Sequence, residues 1–234
     1  MYIHENKYWP SFTWNKDIVN EKLNHVNKKV GYLNGRLSVI GFDIQMSAVV
    51  EAMTHDITAS SEIEGVELNN EQVRSSIARK LGVQLPDSIV PSRYIDGVVE
   101  MALDATANYA RPLTKERLFG WHNCLFPTGW SGPVKIDVAK YRDGEMKVIS
   151  GMFGREKIHY VAPPANTVDR DMELFLTWFN NPDTKNDYIK SAIAHLWFVC
   201  IHPFDDGNGR MGRAIADMAL SQAENSPMRF FSIS

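Results

Sequence analysis

The sequence has few cysteines, and their scarcity argues against a disulfide-stabilised fold and against a cysteine-based metal site. Only Cys124 and Cys200 occur in 234 residues, each in an apolar, helix-like context. Their separation matches no metal-binding spacing, and two cysteines in a chain of this length do not make a disulfide scaffold. We therefore expect free, buried thiols in a cytoplasmic protein. The chain also lacks internal repeats and low-complexity tracts, which excludes a repeat architecture.

The chain carries no excess of positive charge and no long hydrophobic run. Its 25 Lys and Arg residues face 28 Asp and Glu residues, which gives a formal net charge of −3. Neither a nucleic acid nor an anionic membrane is therefore an expected partner. No apolar segment is long enough to cross a bilayer, and the polar, aromatic first ten residues are unlike a signal peptide. The hydrophobic content of 44% is ample for a sizeable core.

Apolar residues recur at helical spacing over most of the chain. Asn69 and Gln72 add a capping-box pattern before one of these periodic segments. Residues 127–162 are instead rich in glycine and proline, and strand-like runs at 145–149 and 157–162 flank the segment SGMFGRE, which predicts one β-hairpin. The predicted helices cover about 15–40, 44–64, 69–81, 92–109, 112–126, 167–179, 187–201 and the residues from Asn208 onward.

The first predicted helix has an apolar seam with heptad spacing. Such a seam packs either on the helix's own domain or on a second copy in a coiled-coil homodimer, and we expect the former. The residues before this helix carry Trp9, Phe12 and Trp14 around Pro10, which predicts an aromatic strap packed against the rest of the protein. The members of the seam are Val19, Leu23, Val26, Val30, Leu33 and Leu37.

The most informative segment is the run IHPFDDGNGRMGR at 201–213. Gly207 and Gly209 allow backbone N–H groups to approach an anion closely. Because a helix is predicted from Asn208 onward, the turn also feeds a helix N-terminus, where free N–H groups and the helix dipole favour a phosphate. Arg210 and Arg213 lie three residues apart on one face of that helix, and guanidinium groups match phosphate oxygens. The segment therefore predicts a phosphate-binding turn.

The same run supplies a carboxylate and an imidazole. Asp206 offers the hard oxygen ligand that Mg²⁺ takes when substrate phosphates provide most of its other ligands. His202, immediately before the turn, titrates near neutrality and can accept a proton from an attacking hydroxyl. Phe204 is predicted to be an anchor that fixes the turn. Each residue alone also has an ordinary explanation as a turn, helix-end or surface residue, so it is their combination that indicates a site.

This run resembles the signature of the Fic family, H-P-F-x-[D/E]-G-N-G-R-x-x-R, at every fixed position. The segments LTKERLFGWHNCLF, YRDGEMKVISG and HYVAPP occur in the order typical of the family. The resemblance implies an all-α fold with one short β-hairpin, the flap. It places an N-terminal helical region at 1–110 and a Fic core domain at 111–234. Relatives continue past the MRFFSIS at which this chain stops, so the core domain is expected to be truncated at its C-terminal end.

The resemblance also implies an activity. Fic proteins are mostly adenylyltransferases, which move AMP from ATP onto a Tyr, Thr or Ser hydroxyl of a target protein, and self-modification is part of this expectation. It implies that His202 is the general base and that Asp206 ligates Mg²⁺. A target is expected to dock by strand pairing on the flap, around 145–162. The residues implied in binding ATP phosphates are Gly207, Asn208, Gly209, Arg210 and Arg213.

A second motif lies at the end of the second predicted helix. The segment SSEIEG at 60–65 resembles the inhibitory motif [S/T]-x-x-x-E-[G/N] of self-restrained Fic proteins, which assigns Ser60, Glu64 and Gly65. In relatives the glutamate pairs with the second signature arginine, here Arg213, and keeps it from the ATP γ-phosphate. Independently, Glu64 continues an apolar helical stripe, so its carboxylate needs a cation. A local capping box between Ser61 and Glu64 is the alternative, although the stripe places both residues at a helix end.

Three other functions stay open on the sequence alone. The nearest is the reverse reaction, in which Glu64 activates water and AMP is removed from a target. A kinase-like transfer, as in the Doc branch of the family, is less favoured because that branch departs within the signature, whereas GNGR has the adenylyltransferase form. The third is a regulatory nucleotide-binding module without enzymatic activity. A mass shift on an isolated target separates the two directions of the reaction, and ATP turnover separates an enzyme from a module.

Overall fold

The computed structural model describes residues 1–151, 155, 157–185 and 187–230, and this part of the chain is built mainly from helices. Two short antiparallel ladders are added to them, which confirms the expected all-α class with a hairpin. Among the described helices, none combines the length and the apolar character that a bilayer span requires. The described α-helices are α1 (Lys16–Leu37), α2 (Phe42–Ile63), α3 (Asn70–Leu81), α4 (Arg93–Ala107), α5 (Lys115–Leu125), α6 (Val168–Asn180), α7 (Tyr188–Ile201) and α8 (Asn208–Glu224).

Capping side chains explain where many of the helices begin. Asn69 accepts a hydrogen bond from the backbone N–H of Gln72 at 2.9 Å and so starts α3. Only this half of the predicted capping box forms. The Gln72 side chain instead accepts the N–H of Ser92 at 2.9 Å, which ties α3 to the start of α4. The side chains that cap α1, α4, α5 and α7 in the same way are Asn15, Ser92, Thr114 and Asp187.

The predicted hairpin is present. β3 (Lys147–Ser150) pairs antiparallel with β4 (Lys157–Val161), with an irregularity between Val148 and Ile149, while residues 152–154 and 156, at its predicted tip, lie outside the described residues. A second ladder, which the sequence pattern did not predict, pairs β1 (Trp130–Ser131) with β2 (Val134–Lys135). Two residues a side are too few for an alternating pattern to appear. This small ladder nevertheless brings Ser131 to the signature turn.

One hydrophobic core extends from α2 to α8. Val50 and Ile57 of α2 belong to the same buried cluster as the large side chains of the later helices. Because the core continues across residue 110, the N-terminal helices pack directly on the later ones, and the division into two regions there stays a prediction. The largest fully buried side chains of α6, α7 and α8 are Met172, Phe175, Phe179, Phe198, Ile201, Met211 and Ile215.

The N-terminal segment packs on this core, whereas α1 adds nothing to it. Trp9 and Phe12 lie 6.3 and 6.0 Å from Trp197 of α7 between ring centroids, as a strap requires, while Trp14 is exposed. No residue of α1 is buried, and none of its seam residues is among the side chains packed on the core. The expected packing of the seam on its own domain therefore finds no support in the core, and pairing with a second copy stays the untested alternative.

The helices α4 and α5 approach closely at Gly97, where a methyl group would collide with the carbonyl oxygen of Cys124. We expect Gly97→Ala to lower the free energy of unfolding by about 1–3 kcal/mol, the usual cost of overpacking. Gly120→Ala on α5 is the matched control, because an added methyl meets no atom within 4 Å, and it should raise that free energy by about 0.4–1 kcal/mol. Urea denaturation measures both, and equal stability of the two variants would contradict the close approach.

Candidate active site

The signature residues come together where α7 ends and α8 begins. The chain leaves α7 at His202, which has a left-handed backbone conformation with a φ of 53°. It enters α8 directly after Gly207, whose φ of 80° is one that glycine adopts without strain. The turn between them reverses the chain direction. The end of α7 and the first turn of α8 therefore share one site, as the sequence predicts.

The His202 side chain is held by its own helix. Its Nδ1 lies 3.1 Å from the carbonyl oxygen of Val199. Because a carbonyl can only accept, Nδ1 carries the proton and Nε2 keeps its lone pair. Burial lowers the pKa of His202 below its ordinary value and outweighs the raising effect of the bond to Val199. At neutral pH His202 is therefore a neutral imidazole with an unprotonated Nε2, the form that a general base needs.

Phe204 and Asn208 keep the turn in shape. The Phe204 ring is fully buried, as expected of an anchor, and stacks on His122 of α5 at a centroid distance of 4.4 Å. Oδ1 of Asn208 accepts the N–H of Phe204 at 3.0 Å, and its Nδ2 donates to the Phe204 carbonyl at 2.8 Å. Both polar atoms of the Asn208 side chain are thus used within the turn. The Asn208 side chain is buried within the turn, and its part in phosphate binding stays a prediction.

The Asp206 carboxylate is oriented by two donors and stays 40% exposed. Its Oδ1 accepts the N–H of Gly207 at 2.5 Å, and its Oδ2 accepts the hydroxyl of Ser131. No group of three or more His, Cys, Asp and Glu side chains that could hold a metal ion occurs among the described residues. A single oriented carboxylate fits Mg²⁺ that arrives with substrate phosphates and keeps several waters, and it does not fit a metal cage built by the protein.

Arg210 lies buried beneath the turn. Its Nη1 donates to the hydroxyl of Tyr94 on α4 at 2.6 Å, and its guanidinium lies 5.1 Å from the centroid of the Phe126 ring. Its Nη2 is 3.8 Å from Oδ1 of Asp206. These contacts hold a planar group of donors and a full positive charge next to the open carboxylate.

Arg213 is bound to the end of α2, where the predicted inhibitory residues lie. Its Nε donates to the Ser60 hydroxyl at 2.6 Å, and its Nη2 donates to the Ser60 carbonyl at 2.8 Å. The same Nη2 donates to Oε1 of Glu64 at 2.6 Å. The Arg213 side chain is 15% exposed and that of Glu64 is 34% exposed. The structure thus joins both predicted inhibitory side chains to the second arginine of the signature.

The Glu64 carboxylate also lies directly against the first turn of α8. A methyl group on Gly209 would collide with Oε1 of Glu64, so the absence of a side chain there makes room for the carboxylate. The first N–H groups of a helix have no partner within the helix and favour an anion. Glu64 therefore places its negative charge beside the first turn of α8.

Gly65 ends α2 in a regular C-terminal arrangement. It has a φ of 73°, its N–H donates to the Glu62 carbonyl at 2.8 Å, and the N–H of Val66 donates to the Ser61 carbonyl at 3.0 Å. These two bonds are those of a Schellman motif. The alternative in which Ser61 and Glu64 form a capping box is wrong, because a capping box starts a helix and both residues lie at the end of α2.

Four residues that complete the site were not predicted. The buried guanidinium of Arg142 donates to the carbonyl oxygens of His202 and Pro163, both at 2.7 Å, and so joins the base of the flap to the signature turn. The others are His122, Ser131 and Tyr94, with the contacts given above. Of these four residues, only His122 has a local sequence signal, because it is a polar residue inside the apolar stretch LFGWHNCLF.

Comparison with protein families agrees with this geometry. Residues 112–220 match the Fic/DOC family, and residues 2–83 match a domain of unknown function (DUF4172). The first match contains the turn, both signature arginines and the hairpin. The second contains Ser60, Glu64 and Gly65, so the contact between Glu64 and Arg213 joins the two matched regions.

Similar proteins point in the same direction. A probable protein adenylyltransferase of Aquifex aeolicus is 31% identical over 109 residues, which are 46% of this chain and 30% of that protein. A uridine 5'-monophosphate transferase of Xanthomonas campestris is 27% identical over 124 residues, 50% of this chain and 22% of that protein. A crystal structure of a Fic family protein from Desulfovibrio desulfuricans G20 has a TM-score of 0.60 at 26% identity, covering 92% of this chain and 60% of its own. The chain spans less than a third of these two curated relatives.

Burial lowers the pKa of four histidines, His4, His122, His195 and His202, and this predicts how stability depends on pH. A histidine with a lowered pKa in the folded state takes up a proton more readily once unfolded. The free energy of unfolding should therefore fall as the pH drops from 7 to 5.5, by up to about 1.4 kcal/mol per unit of pKa shift. Urea denaturation across this range measures the slope, which His202→Gln should reduce. His25→Gln, at an exposed histidine, is the matched control; a slope that His202→Gln leaves unchanged would contradict the assignment.

Proposed function

The chain belongs to the Fic family, and on that premise we propose that it is a protein adenylyltransferase restrained by Glu64. In this reaction AMP passes from ATP to a Tyr, Thr or Ser hydroxyl of a target protein, the chain itself included. The observation that carries the proposal is the arrangement at the start of α8. A free imidazole nitrogen, an open carboxylate and two arginines meet there, and the second arginine is bound to an acidic residue.

The first turn of α8 would hold the ATP phosphates. The N–H groups of Asn208 and Gly209 are at the first positions of the helix and have no carbonyl to bind within it. Arg210 adds a buried positive charge below them. Asp206 is the residue that would hold Mg²⁺, and a bound magnesium ion neutralises phosphate charge and stabilises the departing pyrophosphate.

His202 would act as the general base. Its free Nε2 takes the proton of the target hydroxyl while that oxygen forms a bond to the α-phosphorus of ATP. The bond from the α-phosphorus to the bridging oxygen breaks, and pyrophosphate leaves with the electron pair. The lowered pKa of His202 keeps the base neutral at pH 7. Most of the catalytic effect comes from positioning and from charge neutralisation.

The target segment would dock on the flap. All four residues of β3 are exposed, and an exposed strand edge binds an extended peptide through main-chain hydrogen bonds. Arg142 supports this arrangement because it donates to carbonyl oxygens beside the flap and at His202. The buried Arg142 side chain would then position both the docked peptide and His202, and so keep the target hydroxyl at a fixed distance from Nε2 of His202.

Glu64 would restrain the enzyme in two ways. Its carboxylate engages Arg213, which is then unavailable to the γ-phosphate, and it carries negative charge into the space against Gly209. The resting protein would therefore bind ATP in an unproductive arrangement.

Removing the Glu64 carboxylate tests the restraint. We expect Glu64→Gly to raise AMP transfer by about 5–150-fold, the range that corresponds to a coupling free energy of 1–3 kcal/mol, because Arg213 becomes available to phosphate. Labelled ATP and the intact mass of the chain report the transfer, auto-modification included. Glu62→Gly, at an exposed glutamate in the last turn of the same helix, is the matched control for the loss of helix propensity and should not change the rate.

Other outcomes of this assay identify the alternatives. A folded Glu64→Gly chain without any gain in transfer would contradict the restraint. If Glu64→Gly lost the ability to remove AMP from a modified target, the reverse reaction would be supported instead. Repeating the assay with UTP in place of ATP tests the nucleotide, because one similar protein is named a uridine 5'-monophosphate transferase.

Removing the imidazole of His202 tests the base. In the Glu64→Gly background we expect His202→Ala to lower AMP transfer by roughly 10²–10⁴ while ATP affinity stays nearly the same, the usual scale for loss of a general base. His25→Ala, at an exposed histidine of α1, is the control. Near-normal transfer by a folded His202→Ala chain would show that another group takes the proton.

A further inference from the structure

His122 has a bonding pattern that the proposed chemistry does not use. It is fully buried in α5. Its Nδ1 accepts the N–H of Ala139 at 3.1 Å, and its Nε2 lies 3.2 Å from the carbonyl oxygen of Asp206. Because an amide N–H only donates and a carbonyl only accepts, the two contacts fix the neutral tautomer with the proton on Nε2.

The faces of the imidazole ring are also engaged. The ring stacks on Phe204 at 4.4 Å between centroids with 17° between the planes, and it lies 5.0 Å from the Phe126 ring. The ring therefore cannot turn without displacing the anchor of the signature turn. Ala139 has a φ of 55°, a left-handed conformation that is uncommon outside glycine, and its bond to Nδ1 helps to hold it there.

The contact between Nε2 of His122 and the Asp206 carbonyl orients the whole peptide group that joins Asp206 to Gly207. The peptide that joins Asp206 to Gly207 is planar, so its C=O and N–H groups point in opposite directions. With the carbonyl directed at His122, the Gly207 N–H points the other way and donates to Oδ1 of Asp206 at 2.5 Å. His122 thus sets the plane of a peptide whose other end orients the open carboxylate.

We propose that His122 is a positioning residue for nucleotide binding, whose Nε2-protonated ring aligns the Asp206–Gly207 peptide and, through it, the Asp206 carboxylate for ATP·Mg²⁺. The inference rests on the proposed function, because the ligand is the ATP of that reaction. His122 acts only through the turn. Groups that orient a metal-binding carboxylate in this way typically change metal affinity by about 10–100-fold when they are replaced.

Two substitutions separate the roles of the ring nitrogens. His122→Asn keeps an acceptor near the position of Nδ1 and loses the donor to Asp206, whereas His122→Gln carries an amide donor to the position of Nε2 and loses the acceptor. Calorimetric titration with ATP, with and without Mg²⁺, is combined with the melting temperature. We expect His122→Asn to weaken Mg²⁺-dependent ATP binding by about 10-fold or more, and His122→Gln to stay within about 3-fold of the parent chain, at similar melting temperatures.

A purely structural role gives a different result. If both variants bound ATP·Mg²⁺ like the parent chain, or lost affinity only in step with melting temperature, the proposal would be wrong. Where a variant does not fold, the ring ¹⁵N chemical shifts of His122 in the parent chain decide: a proton on Nε2 supports the proposal and a proton on Nδ1 overturns it. None of these measurements needs turnover. A chain that binds ATP·Mg²⁺ but transfers no nucleotide would contradict the proposed reaction and not the role of His122.

Discussion

The turn between α7 and α8 has few of the regular backbone hydrogen bonds that hold the two helices beside it. Buried side chains supply the missing bonds. Asn208 binds both polar backbone groups of Phe204, Arg142 binds the carbonyl of His202, and His122 binds that of Asp206. Because all three side chains are buried, the turn derives its rigidity from the packing of the helices around it. The helices of the core and the base of the flap therefore together hold the turn in place.

A polar face joins α2 to α8. Asp56, Ser60 and Glu64 lie one helical turn apart along α2, and Arg213 binds the last two. At the other end of the face, Arg229 binds both Asp56 and Asp217 of α8 at 2.5 Å, in a buried cluster. An apolar contact could hold the two helices equally well. A charged contact differs because salt and other anions weaken it, whereas an apolar contact is insensitive to them.

The fold class and the signature turn could be predicted because both depend on local patterns, such as the cap at Asn69 and the glycine at position 65. The remainder depends on pairs that are distant in the sequence. Arg142, His122 and Tyr94 meet their partners 60, 84 and 116 positions away. A local pattern contains no information about such a partner. Gln72 illustrates the limit, since its side chain leaves the expected capping box for a backbone N–H of α4.

Arg213 is held by three hydrogen bonds, and only one of them ends on a carboxylate. The two bonds to Ser60 end on neutral oxygens and do not involve the Glu64 carboxylate. Loss of the carboxylate alone would leave the guanidinium oriented on the end of α2, so the position of Arg213 is set by Ser60 as much as by Glu64.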